Sequence, residues 1–296
     1  MISSPTPPPL QQVRAIVDRE DWTDPQFSRS KAYVCAIFSE LAYWYIPVFE
    51  LEHHDRVKVI PSSAYQELWP RLAADDFFTR MLRENDFAPT VLDRRLAVVV
   101  IVPTNRVIFV AIRGTVNAYD WMVNAQAWKR VGYHRGVGHF HRGFYGAVES
   151  VREELYAELS KHDATVPVYV TGHSLGGAMA AIIHAISCEC RCGIVHVGVH
   201  ETHSSYTYGM PRYADRKAVT ECRGPYHVLK ADDVVPRVPP RWLGYADPLT
   251  EFEAGGTVAR VKHRDAWPFP TWIATLAFKK TIERHVIERY RLALAR

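Results

Sequence analysis

The segment 168–177 reads V-Y-V-T-G-H-S-L-G-G, which sets Ser174 between Gly172 and Gly176. A serine in G-x-S-x-G between a strand and a helix is held on a sharp turn above a sheet edge. The two glycines remove side chains that would collide across such a turn. Ala178, Ala180 and Ala181 follow and let the helix lie close to the sheet. A match to three fixed residues is common by chance, so the specificity comes from this context. The chemistry is nucleophilic attack. A serine hydroxyl needs an imidazole base, and the base needs an acid that orients it and stabilises its charged form. On this kind of turn the order along the chain is serine, then acid, then histidine.

That order confines the search to residues after Ser174. Asp232 and Asp233 stand directly after a strand-like run at 226–230, and the C-terminal edge of a strand is where such sheets place their sites. Glu201, Asp215, Glu221, Asp247, Glu251 and Asp265 do not follow a strand so clearly. Among the histidines, His173 belongs to the turn, and its side chain is expected to point away from the site. His184 lies on the helix after the serine, His196, His200 and His203 surround a strand, and His227 lies within the acid's own strand. Chain order leaves His263 and His285 as the two candidates for the base, and leaves both aspartates open.

The elements that must position these groups follow from hydrophobic spacing. Residues 27–49 repeat apolar positions at Tyr33, Ile37, Leu41 and Tyr45, which predicts a helix ended by Pro47. A second helix is expected within 62–83. Residues 96–102 and 106–112 are continuous β-branched runs, as strands buried on both faces should be. The short turn between them implies a hairpin and a mixed sheet. Residues 144–159 form an amphipathic helix with Val148, Val151, Leu155 and Leu159 on one face. Further strands are expected at 167–170, 194–199, 205–208 and 226–230, helices at 174–186 and 281–295. Strands alternating with helices predict an α/β fold with a mostly parallel central sheet and helices on both faces. Residues 1–25, with Pro5, Pro7, Pro8 and Pro9, read as a flexible Pro-rich tail, and 26–296 as one domain.

Composition fits an ordinary globular enzyme. Hydrophobic residues make up 48% and charged residues 23%, enough apolar material for one core. The net charge of +4, from 36 basic and 32 acidic residues, is too balanced for a nucleic-acid binder. Cys188, Cys190 and Cys192 alternate at a spacing that rarely chelates a metal, so free thiols are expected and no metal or cofactor is called for. Free thiols and the absence of a visible secretory signal point to the cytoplasm, while leaving secretion open. No stretch is apolar for the roughly 18 residues of a membrane span.

Taken together, the motifs resemble the class 3 lipase family, the fungal-type triacylglycerol lipases and their relatives. Residues 172–177 match its G-H-S-L-G-G. Arg113-Gly114-Thr115 with Asp120-Trp121 resembles its F-R-G-[ST]…D-W, and His141-Arg142-Gly143-Phe144 its H-x-G-F. Residues 208–212 resemble its Y-G-x-P-R, residues 233–240 its D-x-V-P-x-L-P-P, and His285 with Tyr290 its terminal histidine segment. These run in family order from about residue 96 to 294, and their joint occurrence is far more specific than any one of them.

The resemblance implies an α/β-hydrolase fold with Ser174, Asp233 and His285 as a catalytic triad. It also implies an oxyanion hole formed by Thr115 and Leu175. The implied activity is a lipase-like serine carboxylic-ester hydrolase acting on acylglycerols, through an acyl-enzyme on Ser174 and with no cofactor. A phospholipase A1 or galactolipase on the same triad is the alternative, and a non-catalytic lipid-binding relative a further one. Residues 116–128 are the natural candidate for the family's lid, with a fixed, packed helix as the equal alternative, and 267–278 offer a second apolar stretch, for core packing or else for an acyl pocket or a transient lipid surface. The family's V-G-N after P-R is replaced here by Tyr213-Ala214-Asp215, which bears on substrate range.

Overall fold

The structure is a computed structural model and describes residues 9–45, 77–114, 130–132, 138–187, 201–254, 258–260 and 285–295. Its centre is an eight-stranded sheet in the order β1-β2-β3-β6-β7-β8-β9-β10. These strands are β1 (Thr90–Arg94), β2 (Ala97–Pro103), β3 (Ile108–Ile112), β6 (Val168–His173), β7 (Thr202–Tyr208), β8 (Tyr226–Leu229), β9 (Thr250–Ala254) and β10 (Val258–Arg260). The short β4 (Arg130–Gly132) and β5 (His139–His141) pair separately. From β3 to β9 all neighbours run parallel, and the two margins are antiparallel. The expected hairpin is present, with Val99 opposite Ile112.

Alternation along the strands explains why both faces are covered. Val100, Val102, Phe109, Ala111, Tyr169, Tyr206 and Tyr208 enter one core, together with α1 (Leu10–Arg19), α2 (Arg29–Leu41), α3 (Phe77–Arg83) and α7 (Ile287–Ala295). Val99, Ile101, Ile108, Val110, Ile112, Val168 and Val170 enter the other, against α4 (Arg142–Leu159), α5 (Leu175–Ser187) and α6 (Arg216–Glu221). The α/β architecture expected from the sequence is the one observed. In α2 every residue from Lys31 to Leu41 is buried, so it is a central element of its layer rather than a surface helix.

The N-terminus differs from the expectation of a flexible tail over 1–25. Residues 10–19 are helical, with Leu10, Val13 and Val17 buried. Trp22 is 2% exposed and meets Phe109 and Tyr169 edge-on, each at 5.0 Å between ring centroids. Its indole N–H donates to the Val17 carbonyl at 3.0 Å. The apolar spacing 10, 13, 17 is a helix signal that the neighbouring prolines mask. Residues 1–8 lie outside the described residues, as do the expected strand at 194–199 and most of the expected helix at 62–83. The C-terminal helix is described over Ile287–Ala295, and 281–284 lie outside the described residues.

Candidate active site

Ser174 ends β6 and precedes α5 with φ at 58°. That left-handed backbone is uncommon for any residue other than glycine, and it costs of order 1–3 kcal/mol. The flanking glycines explain how the turn closes. A Cβ on Gly172 would lie 2.4 Å from the Gly176 carbonyl carbon, and one on Gly176 would lie 2.1 Å from the Ile112 oxygen. The turn is pinned to the next strand, because the Ser174 N–H donates to the Tyr208 carbonyl at 3.0 Å.

Tyr208 leads directly into Gly209, and here the remaining groups converge. A Cβ on Gly209 would come within 2.8 Å of Asp233 Oδ2, His285 Cε1 and the Tyr290 hydroxyl. Gly209 also has φ at 53°. The bare backbone therefore makes room for the acid, the base and a third polar group at once.

Asp233 follows β8 and is 1% exposed. Its Oδ2 accepts from His285 Nδ1 at 2.6 Å and from the Tyr290 hydroxyl at 2.5 Å. Its Oδ1 accepts from the Val235 N–H at 2.9 Å. Burial alone would raise its pKa. The positive charge His285 can carry, with these hydrogen bonds, outweighs burial and holds the carboxyl below its ordinary value. Asp232, its neighbour, instead pairs with Arg289 at 2.9 Å on the surface. The structure therefore brings His285 to Asp233 and not to Asp232. His263 lies outside the described residues.

With Nδ1 committed to Asp233, the free edge of His285 is Nε2, which is buried and has no hydrogen-bond partner among the described residues. Ser174 is 4% exposed and His285 7% exposed. A serine on a strained turn, an imidazole with one nitrogen unengaged and a buried carboxylate are the parts that acyl transfer requires. Of the two expected oxyanion donors, Leu175 opens α5, where helix N–H groups lack intrahelical acceptors. Thr115 lies outside the described residues, as do 116–128 and 267–278.

Two groups escaped the reading of the sequence. His173 was expected to point away from the site, but its ring lies 4.3 Å from that of His285. The signal was present in strand alternation, since Tyr169, Thr171 and His173 share the face that meets α2. Tyr43, in the short 3-10 turn Ala42–Trp44, bonds His173 Nδ1 at 3.0 Å. Other motif residues are architectural. His141 Nδ1 accepts from Gly143 and Phe144 at the start of α4. Arg212 donates to the carbonyls of Arg237 and Pro239 and to Asp247.

The fold is an α/β-hydrolase fold, with the serine turn at the end of a central parallel strand. The Rhizomucor miehei lipase propeptide complex shares it, with a TM-score of 0.54 at 19% identity over 79% of this chain and 71% of that one. Residues 109–242 match the family model described as Lipase (class 3). The secreted mono- and diacylglycerol lipase 1 of Fusarium solani is 34% identical over 157 residues, 50% of this chain and 44% of that protein. Toxin TseL of Vibrio cholerae serotype O1 is 33% identical over 110 residues, 36% of this chain and 16% of the toxin. This chain carries both Ser174 and Asp233 within the segment that matches the class 3 lipase family. It spans less than half the length of these curated relatives.

Proposed function

We propose that the protein is a serine carboxylic-ester hydrolase that cleaves acylglycerols or similar lipid esters through an acyl-enzyme on Ser174. The observation that carries this reading is the buried Asp233–His285 pair with Nε2 unengaged, beside a strand-to-helix serine turn. In the proposed cycle neutral His285 takes the Ser174 proton through Nε2 as the hydroxyl oxygen attacks the ester carbonyl. Asp233 keeps the imidazole in the correct tautomer and stabilises its charged form. The N–H groups of Leu175 and Thr115 receive the developing oxyanion, each worth roughly 3 kcal/mol at the transition state. His285 returns the proton to the leaving alcohol, then activates a water that releases the fatty acid. The chemistry uses protein groups only.

Acylglycerols come first among substrates because the Fusarium relative is named for them. That relative is also named as secreted, which supports secretion as the alternative to the cytoplasmic location expected from the thiols. Among the described residues no helix is long and apolar enough to cross a membrane. The near-complete burial of Ser174 favours contact with a lipid surface as part of substrate access. Ser174→Ala is expected to abolish hydrolysis of a p-nitrophenyl ester and labelling by a fluorophosphonate probe. Activity near that of the parent would end the proposal. A panel of acylglycerols, phospholipids and short esters ranks the substrates, and faster turnover of phospholipids or galactolipids would replace the acylglycerol assignment.

A further inference from the structure

Two imidazoles lie ring against ring in this site, and the proposed cycle uses only one. His173 and His285 have centroids 4.3 Å apart, with planes inclined by 30°. The groups around them differ. His285 has a carboxylate on Nδ1, with the Tyr290 hydroxyl on the same carboxylate oxygen. His173 has only the neutral hydroxyl of Tyr43 on Nδ1, and its Nε2 is buried without a partner among the described residues. The nearest aromatic neighbours of His173 besides His285 are Tyr43 at 5.8 Å and Tyr290 at 5.9 Å, and the Arg113 guanidinium lies over the Tyr43 ring. Among the described residues no carboxylate contacts His173.

We propose that His173 is a positioning residue for His285: its uncharged ring, fixed by Tyr43, forms the face that keeps the base in line with Asp233 and that the base's positive charge meets during turnover. This rests on the assignment of Ser174, Asp233 and His285. Three physical points carry it. First, a stacked ring at this distance limits how far His285 can swing, and small losses of alignment are costly in acyl transfer. Second, the electron-rich face of an uncharged ring attracts a cation, whereas two adjacent imidazolium ions repel. Third, burial, followed by the nearby charge of His285, holds the His173 pKa well below its ordinary value, so one imidazole alone takes the serine proton.

Tyr43 extends the arrangement to the other side of the site. Its hydroxyl lies 2.0 Å from where a Cβ on Gly114 would stand. The same side chain therefore packs against the backbone of Gly114 and holds the imidazole stacked on the base. Tyr43 comes from the N-terminal part of the chain, outside the matched residues 109–242.

The test uses the full-length protein. His173→Ala is expected to lower kcat by about 10- to 100-fold with KM little changed. It should also broaden or shift the far-downfield NMR resonance of the proton shared by His285 and Asp233. His173→Phe, which restores a flat uncharged ring, should recover most of kcat and the resonance. Tyr43→Phe, which frees the His173 ring, should fall between the two. Should His173→Ala not fold, His173→Phe and Tyr43→Phe carry the test through the same two readouts. Parent-like kcat and an unmoved resonance in His173→Ala, or in Tyr43→Phe where that variant stands in, would overturn the proposal. So would a His173→Phe variant no better than His173→Ala. Fluorophosphonate labelling of the parent at Ser174 separates the two levels, because its absence would count against the triad assignment while the resonance still reads the effect of His173 on the Asp233–His285 pair.

Discussion

Two buried carboxylates meet consecutive residues of α7, and their environments drive them in opposite directions. Asp233 meets Tyr290, and Glu40 of α2 meets Arg291, whose Nε lies 2.5 Å from Glu40 Oε2. Burial pushes the Glu40 carboxyl up to about 7, only partly offset by the charge and hydrogen bonds of Arg291. Asp233 is at least as buried, yet its carboxyl is held below its ordinary value. The difference lies in the partners: the positive charge His285 can carry comes first, and the number of hydrogen-bond donors adds to it. Asp233 receives three donors from three places in the chain, whereas Glu40 relies on one guanidinium with a second contact at 3.5 Å. At Asp233 a charged partner together with convergent donors outweighs burial, and at Glu40 the charge and hydrogen bonds of Arg291 do not. An ionised acid is what an imidazolium needs. At Glu40 the same helix is tied to the sheet's covering layer.

The sharpest way to break the comparison is at the acid itself. Asp233→Asn is expected to lower kcat by about 10⁴-fold, the scale known for an acid that sets the histidine tautomer. Asp232→Asn, which loses only a surface pair, should leave ester hydrolysis within about twofold and stability within about 1 kcal/mol. Equal losses in the two variants would remove the distinction between the aspartates.

Glu40 should register in stability instead. Glu40→Ala leaves the buried Arg291 with only the more distant Glu288 at 3.6 Å, an expected loss of about 3 kcal/mol in denaturant unfolding. The pH dependence has a definite sign. A carboxyl whose folded pKa is raised binds its proton more tightly in the folded state. Its contribution is complete below the ordinary value of 4.5 and is lost as pH rises through about 7. Glu40→Gln should flatten that part of the stability curve, and an unchanged slope would show that Arg291 keeps Glu40 ionised. Asp233 contributes in the opposite sense, with stability present above its ordinary 3.8 and lost as pH falls through its lowered value.

A loss of kcat smaller than that of Asp233→Asn is expected at Tyr290. Tyr290→Phe removes one of the three donors to Asp233 while sparing the His285 contact. Since a hydrogen bond to a charged group is worth roughly 1.5–3 kcal/mol, kcat should fall by about 10- to 100-fold. A loss as large as that of Asp233→Asn would mean that Tyr290, rather than His285, dominates the environment of the acid.

Much of this was legible in the sequence because it is local. The serine turn needs glycines at fixed spacing, and the sheet needs β-branched runs, so both appear as patterns within ten residues. The parallel sheet with helices on both faces followed from those runs. Chain order left Asp232 and Asp233 open, since both follow the same strand; the family resemblance implied Asp233, and the fold brings that residue to His285. The stacking of His173 on His285 joins residues more than a hundred positions apart, and nothing near His173 announces its partner. The burial of Trp22 and α1 was hidden for another reason: a weak helical spacing stood beside a run of prolines.

The backbone at Ser174 carries a last consequence. At φ of 58° glycine is the residue that folding itself would choose, and serine is disfavoured there by the collision of its own Cβ with the chain. Conformational preference and chemistry thus oppose each other at a single atom. Chance substitution toward glycine would ease the turn and silence the site in the same event. With Ser174 as the proposed nucleophile, the strain of its backbone is a cost that the chemistry of its hydroxyl offsets.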